Sequence, residues 1–300
     1  MNDNKSTAGR RLSTGNERLD KLLGGGLLPG TLTVVSGATG IGKTQLGVQF
    51  VNAGQGQEGR RGLFFDMSCR GDAQSHADYA QRMFGWQVRA ADADSAPEPK
   101  ELFESDDSLG DYLHVFDYAG RRVTRGDLDF EGWQDWQAEL ARKLVVTIAF
   151  FYGNFIRGAR RVVVDGIEPT GRPSDSIQFE LFEYVYHQIL RKDHDWVARD
   201  LLRERYRANA SAVAANPYDH RDVACLLLYT SPESMLEELI SRKLDEGDAL
   251  ANANTLIYLG KLREGNRLGK ALYIAKHRGS ACSDEIVPYQ ITDRGIELGG

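Results

Sequence analysis

Gly37-Ala38-Thr39-Gly40-Ile41-Gly42-Lys43-Thr44 is the stretch from which the rest of this 300-residue chain is read. It fits the spacing of a phosphate-binding loop, G-x-x-x-x-G-K-[ST]. Immediately before it, Thr31-Leu32-Thr33-Val34-Val35-Ser36 is short, largely apolar and β-branched, which predicts a strand. After it, residues 45–53 have helical spacing: Leu46, Phe50 and Ala53 share one face, and Val48 and Val51 form a second apolar strip. The motif therefore falls at a strand-to-helix turn. Glycines there let backbone N–H groups curl around an anion, and the helix N-terminus adds partial positive charge. Lys43 is placed to reach the β- and γ-phosphates of a nucleotide, and the Thr44 hydroxyl to ligate Mg²⁺. A chance glycine-rich turn would require neither the flanking strand nor the helix.

Composition narrows the classes. A hydrophobic fraction of 41% is ordinary for a globular chain. The net charge of −6 gives no global pull towards nucleic acid or an anionic membrane. Cys69, Cys225 and Cys282 are far apart and form no C-x-x-C pair, which argues against a zinc site or a disulfide framework. Free thiols fit a reducing cytosol, so a cytoplasmic location is expected. The longest mostly apolar stretch, 144–152, is too short to span a bilayer. The N-terminus is polar, without the apolar core of a signal peptide.

Outward from the loop, residues 1–12 read as a flexible tail and 13–300 as one nucleotide-binding domain. Strands are predicted at 62–67, 112–116, 161–165, 223–229, 255–262, 270–278 and 287–292, and helices at 73–84, 133–156 and 176–212. An acidic segment, 89–110, reads as a solvated loop, and 174–221 as a helical insertion. The arginines of that insertion alternate with carboxylates, the pattern of a solvated helix face rather than a nucleic-acid patch. Alternating β and α followed by consecutive strands predicts an α/β fold: a mostly parallel central sheet with helices on both faces and an antiparallel C-terminal edge. Arg161-Val162-Val163-Val164-Asp165 is apolar on both parities, as expected of a central parallel strand. Its terminal carboxylate sits where open α/β sheets place ligands, so Asp165 is the candidate Walker B residue, holding Mg²⁺ or a metal-bound water. The plainer alternative is a polar strand terminus.

Several stretches, in order, resemble a KaiC-type domain of the RecA superfamily: Ser13-Thr14-Gly15 through Phe50; Asn254-Thr255-Leu256-Ile257-Tyr258-Leu259; Leu272-Tyr273-Ile274-Ala275-Lys276-His277-Arg278-Gly279-Ser280; and Ile291-Thr292-Asp293-Arg294-Gly295-Ile296. The resemblance is weak over 89–155 and 171–221. It implies a RecA-like P-loop core that binds ATP with Mg²⁺ through Gly37, Ala38, Thr39, Gly40, Ile41, Gly42, Lys43 and Thr44. It also implies homo-oligomers, commonly hexameric rings, with ATP at the subunit interface. In that family a K-x-R-G-S segment reaches the neighbour's γ-phosphate; the matching residues are Lys276 and Arg278. Alternation along a strand puts both on one face, with His277 opposite. Read without the family, they are two exposed basic residues on an edge strand.

Two departures qualify the implied chemistry. Where the family carries a Glu-Glu pair that polarises the attacking water, this chain has Ser68-Cys69, and neither replaces a carboxylate base at neutral pH. Asp66 and Glu168 are the candidate stand-ins. The clock protein's phosphorylated Ser-Thr pair aligns with Leu250 and Ala251, so a clock-type autokinase is not expected. The sequence therefore predicts a slow ATPase working through an unidentified protein partner, with a non-hydrolysing ATP-dependent scaffold or switch as the alternative. A DNA recombination or repair ATPase is a weaker alternative, disfavoured by the acidic balance.

Overall fold

The structure, a computed structural model, describes residues 10–68, 76–105, 109–116, 129–167, 177–243 and 249–299. In chain order the first half comprises α1 (Glu17–Leu22), β1 (Leu32–Gly37), α2 (Lys43–Gln57), β2 (Leu63–Asp66), α3 (His76–Phe84), α4 (Pro99–Glu104), β3 (Tyr112–His114) and α5 (Phe130–Ile156). The second half comprises β4 (Arg161–Ile167), α6 (Ile177–Tyr184), α7 (His194–Leu202), α8 (Tyr206–Ala215), β5 (Ala224–Thr230), α9 (Leu236–Ser241), α10 (Ala249–Asn252), β6 (Thr255–Glu264), β7 (Arg267–His277), β8 (Val287–Thr292) and β9 (Gly295–Leu298).

These strands form one sheet in the order β3-β2-β4-β5-β1-β6-β7-β8-β9. Every pairing from β3 through β6 is parallel, and those from β6 to β9 are antiparallel. The sheet is thus the mostly parallel one with an antiparallel edge that the sequence predicts. Side-chain alternation splits the core into two layers. Val34, Leu63, Phe65, Val162 and Val164 pack with Phe151 and Phe155 of α5 and Phe182 of α6. Val35, Phe64 and Val163 pack on the other side with Leu46 and Phe50 of α2 and Ala80 of α3. Helices on both faces explain why β4 is apolar on both parities.

Some boundaries differ from the reading of the sequence. Arg11 and Leu12 are not part of a tail: Leu12 is buried and exchanges two 2.8 Å backbone hydrogen bonds with Leu27. Residues 1–9 lie outside the described residues. The acidic 89–110 segment contains α4, because Pro99 presets its first turn, Glu101 returns a side-chain bond to the Glu98 N–H, and Leu102 is buried. The helical stretch expected over 176–212 is broken. A π-helical segment, Val185–Leu190, follows α6, and Arg203 takes a left-handed φ of 48° between α7 and α8. Strand β9 and helix α9 carry too few residues to stand out as periodic runs.

Candidate nucleotide site

The loop joining β1 to α2 lies mid-sheet, since β1 runs between β5 and β6. Lys43 begins α2 and is buried; its Nζ donates to the carbonyls of Gly37 (2.9 Å) and Ala38 (3.0 Å), so the ammonium lies against its own loop. Gly40 has a φ of +76° and nothing within 4 Å of where a Cβ would stand. That open space above left-handed backbone leaves room for a phosphate to approach the chain.

Across the sheet, Asp165 meets this loop. Thr44 Oγ1 donates to Asp165 Oδ2 at 3.2 Å, and the Gly166 N–H donates to Asp165 Oδ1 at 2.7 Å. Gly166 is required here. Its φ is +91°, and a Cβ would come within 2.1 Å of the Ser68 backbone nitrogen. A hydroxyl and a carboxylate are the hard oxygen donors that suit Mg²⁺, an ion that keeps several waters and takes its remaining ligands from nucleotide phosphates. Thr44 and Asp165 fit that ion, which when bound would neutralise charge between the β- and γ-phosphates.

The remaining residues of the site fall into three groups. Asp66 ends β2, is the register partner of Asp165 on β4, and is buried. Both of its oxygens are engaged: Tyr112 O–H donates to Oδ2 at 2.6 Å, and the Ser68 N–H to Oδ1 at 2.8 Å. Ser68 is held by its backbone as well, its carbonyl accepting from His114 Nε2 at 2.8 Å. Cys69 and Glu168 lie outside the described residues.

His76 is the residue that the sequence reading missed. It opens α3, is buried, and puts Nε2 3.0 Å from Asp165 Oδ2 and Nδ1 3.7 Å from Asp66 Oδ2. Burial disfavours the imidazolium, but the hydrogen bond and charge of Asp165, joined by the charge of Asp66, outweigh it and raise the His76 pKa. Burial likewise disfavours the Asp165 carboxylate. The His76 contact, the Gly166 N–H and the Lys43 charge overcome that and hold its pKa below the usual carboxylate range. Burial and the adjacent Asp66 push the Tyr112 hydroxyl up, so it stays a donor.

Lys276 and Arg278 are not brought to this loop. Lys276 pairs with Leu256 and His277 with Thr255, at the start of β6, while Gly37 pairs with Leu259 further along the same strand. Thr255 also pairs with Thr33, four residues before Gly37, or about 13 Å along the strand. The two cations thus occupy the opposite end of the sheet from their own loop. Lys276 donates to the Ala251 carbonyl at 2.7 Å and is half-buried, and Arg278 is exposed. Between them His277 points inward. Its Nε2 lies 3.1 Å from Arg11 Nη1 and its Nδ1 2.8 Å from Thr255 Oγ1. A guanidinium only donates, so Nε2 accepts and the proton sits on Nδ1. Burial and the Arg11 charge lower the His277 pKa, and the ring is neutral.

Comparison with known proteins bears on the family of the N-terminal segment and on the fold. Residues 12–106 match the family described as ATPase: KaiC. The matched segment contains the phosphate-binding loop, Asp66 and His76, and stops short of Asp165 and β7. No curated protein sequence matches the chain. Among solved structures, the chain is similar to a KaiC-like protein of the hyperthermophilic archaeon Pyrococcus horikoshii OT3. The TM-score is 0.50 and the identity 18%, over 97% of this chain and 99% of that one. At that identity the likeness speaks to fold, and it extends the correspondence across the whole sheet. Residues 12–106 thus match the KaiC ATPase family, and the chain as a whole shares its fold with a KaiC-like protein.

Proposed function

We propose that the protein is a slow ATPase that binds ATP·Mg²⁺ through residues 37–44 and Asp165, assembles with nucleotide between subunits, and acts through a partner protein. The observation that carries this reading is the Thr44–Asp165 contact. Two residues 121 positions apart in sequence meet at the mouth of an open glycine loop, in the arrangement a triphosphate and its metal need. Lys43 is the cation for the β- and γ-phosphates. Lys276 and Arg278 face away from their own site, which supports their service to a neighbouring subunit's γ-phosphate. The test is titration of a fluorescent ATP analogue against wild type and Lys43→Ala. Tight binding by wild type and at least tenfold weaker binding by the variant are expected, the scale of one charge-assisted contact. Equal binding by both would remove the assignment.

A second reading, a nucleotide switch without turnover, is favoured by one specific observation. Asp66, a candidate water-polarising carboxylate, has both oxygens committed to Tyr112 and Ser68. In this reading Asp66 serves position rather than proton transfer, and occupancy of the site, not hydrolysis, is what a partner senses. Phosphate release with and without Mg²⁺ separates the two.

A further inference from the structure

Asp66 and Asp165 end neighbouring parallel strands and are register partners. A buried carboxylate and a half-buried one so placed repel each other unless something cationic or donating stands between them. His76 stands there. Its ring packs against Phe64 (centroids 5.1 Å apart) and Tyr112 (5.6 Å), which fixes its plane. Nε2 donates to Asp165 Oδ2 while Nδ1 faces Asp66 Oδ2, itself held by the Tyr112 hydroxyl. The result is a continuous line of polar contacts, Tyr112–Asp66–His76–Asp165–Thr44, running from β3 to the first turn of α2.

We infer that His76 is a positioning residue for the metal corner of the site: by holding Asp165 Oδ2 against Thr44, it presets the carboxylate for a Mg²⁺-bound water. This rests on the nucleotide reading above. A carboxylate offers about four lone-pair directions. The Gly166 N–H, the Thr44 O–H and the His76 N–H occupy three of them, on both oxygens. What remains is a carboxylate with its rotation blocked and one direction open. Thr44 can give its proton to Asp165 and still turn a lone pair towards a cation. Without the His76 donor, Asp165 is free to rotate away from Thr44 under the repulsion of Asp66. Groups that orient a metal's ligands act in this way without touching the metal.

The experiment measures how binding of the fluorescent ATP analogue depends on Mg²⁺ in wild type, His76→Phe and His76→Gln. The first variant keeps the ring packing and removes the donor; the second restores a donor. Thermal unfolding and analogue affinity in EDTA report whether the fold and the glycine loop survive. For His76→Phe, the Mg²⁺ concentration at half-maximal binding should rise about tenfold or more, the usual cost of losing a ligand-orienting contact. EDTA affinity should be unchanged, and His76→Gln should recover most of the loss. An unchanged or lower Mg²⁺ midpoint in His76→Phe would overturn the inference, as would a His76→Gln shift equal to that of His76→Phe. Mg²⁺-independent binding by wild type would also overturn it, leaving the nucleotide assignment standing. Absence of specific binding by wild type, or binding that Lys43→Ala does not weaken, would instead remove the nucleotide assignment and this inference with it.

Discussion

Replacing Arg161 by Met should be among the most damaging single changes in this chain, although it lies at the end of the sheet away from the glycine loop. Arg161 opens β4 and is fully buried. Its guanidinium donates to both Glu58 oxygens (2.6 and 3.0 Å), to the carbonyls of Phe50 (2.8 Å) and Ser13 (2.5 Å), and to Gln57 Oε1, and it lies 4.9 Å above the Phe50 ring. Methionine fills much of the space but leaves the Glu58 carboxylate, whose side chain is only 14% exposed, without its partner. Stranding one half of a buried ion pair costs about 3–5 kcal/mol. At roughly 2–4 °C per kcal/mol for chains approaching this size, the melting temperature should fall by about 10 °C. The double variant Arg161→Met with Glu58→Leu removes the stranded charge and should recover at least half the loss, because a buried pair replaced by apolar groups is often nearly neutral. Urea and thermal unfolding of wild type, both single variants and the double would measure this. A cost below about 1 kcal/mol for Arg161→Met, the scale of an exposed pair, would refute the reasoning. So would a double variant no more stable than the single. Because Gln57 and Glu58 close α2, whose first turn carries Lys43 and Thr44, the same cluster anchors the helix that presents the candidate site.

Three further outcomes are expected. Arg278→Ala should leave the protein folded but weaken ATP-promoted assembly, read as mass by light scattering; a wild type that stays monomeric with nucleotide at all concentrations would contradict the assembly reading. Phosphate release should be slow in wild type and rise on Ser68→Glu, since a positioned acid–base group is worth on the order of 10²-fold; brisk wild-type turnover abolished by Asp66→Asn, with ATP binding intact, would reverse the assignment of Asp66. The folded pKa of His277 lies below its unfolded value, so its contribution to stability is complete above about pH 6.5 and is lost as pH falls through the folded pKa. His277→Gln should flatten that acid limb of the stability curve, and an unchanged limb would show that other groups govern it.

The sequence made legible what depends on local pattern. The glycine loop announces its own strand and helix, and the β-branched run ending in Asp165 announces a central strand. The even spacing of Lys276 and Arg278 announces a shared face, with His277 buried between them as alternation requires. His76 was not legible. It is one histidine at the head of an ordinary amphipathic helix, and its meaning comes from carboxylates 10 and 89 residues away that only the β2–β4 pairing brings beside it. Tyr112 was hidden for the same reason: its hydroxyl matters because β3 pairs with β2, placing Tyr112 beside Phe64 and its hydroxyl within reach of Asp66. Asp66 itself was legible as a carboxylate at the right strand end. Whether it was free to polarise water was not, because that depends on which donors already occupy its oxygens.

Sheet register also bears on where the chemistry could be completed. β6 lies parallel to β1, and β7 antiparallel to β6, so a residue late in β7 must sit level with the beginning of β1, one strand away. The glycine loop follows the end of β1. No rotamer of Lys276 or Arg278 changes that ordering, because it is fixed by backbone pairing across two strands. A γ-phosphate bound at residues 37–44 therefore cannot recruit these cations from the same chain without dismantling the hairpin between β6 and β7. If they contribute to turnover they do so in a second copy, and in an isolated subunit Lys43 and a bound metal would be the only assigned groups left to meet charge at the γ-phosphate. Slow turnover is then the expected outcome for the monomer, on grounds of topology as well as of the absent glutamates. The two causes separate experimentally: loss of assembly lowers the rate with protein concentration, whereas the absent base lowers it at every concentration.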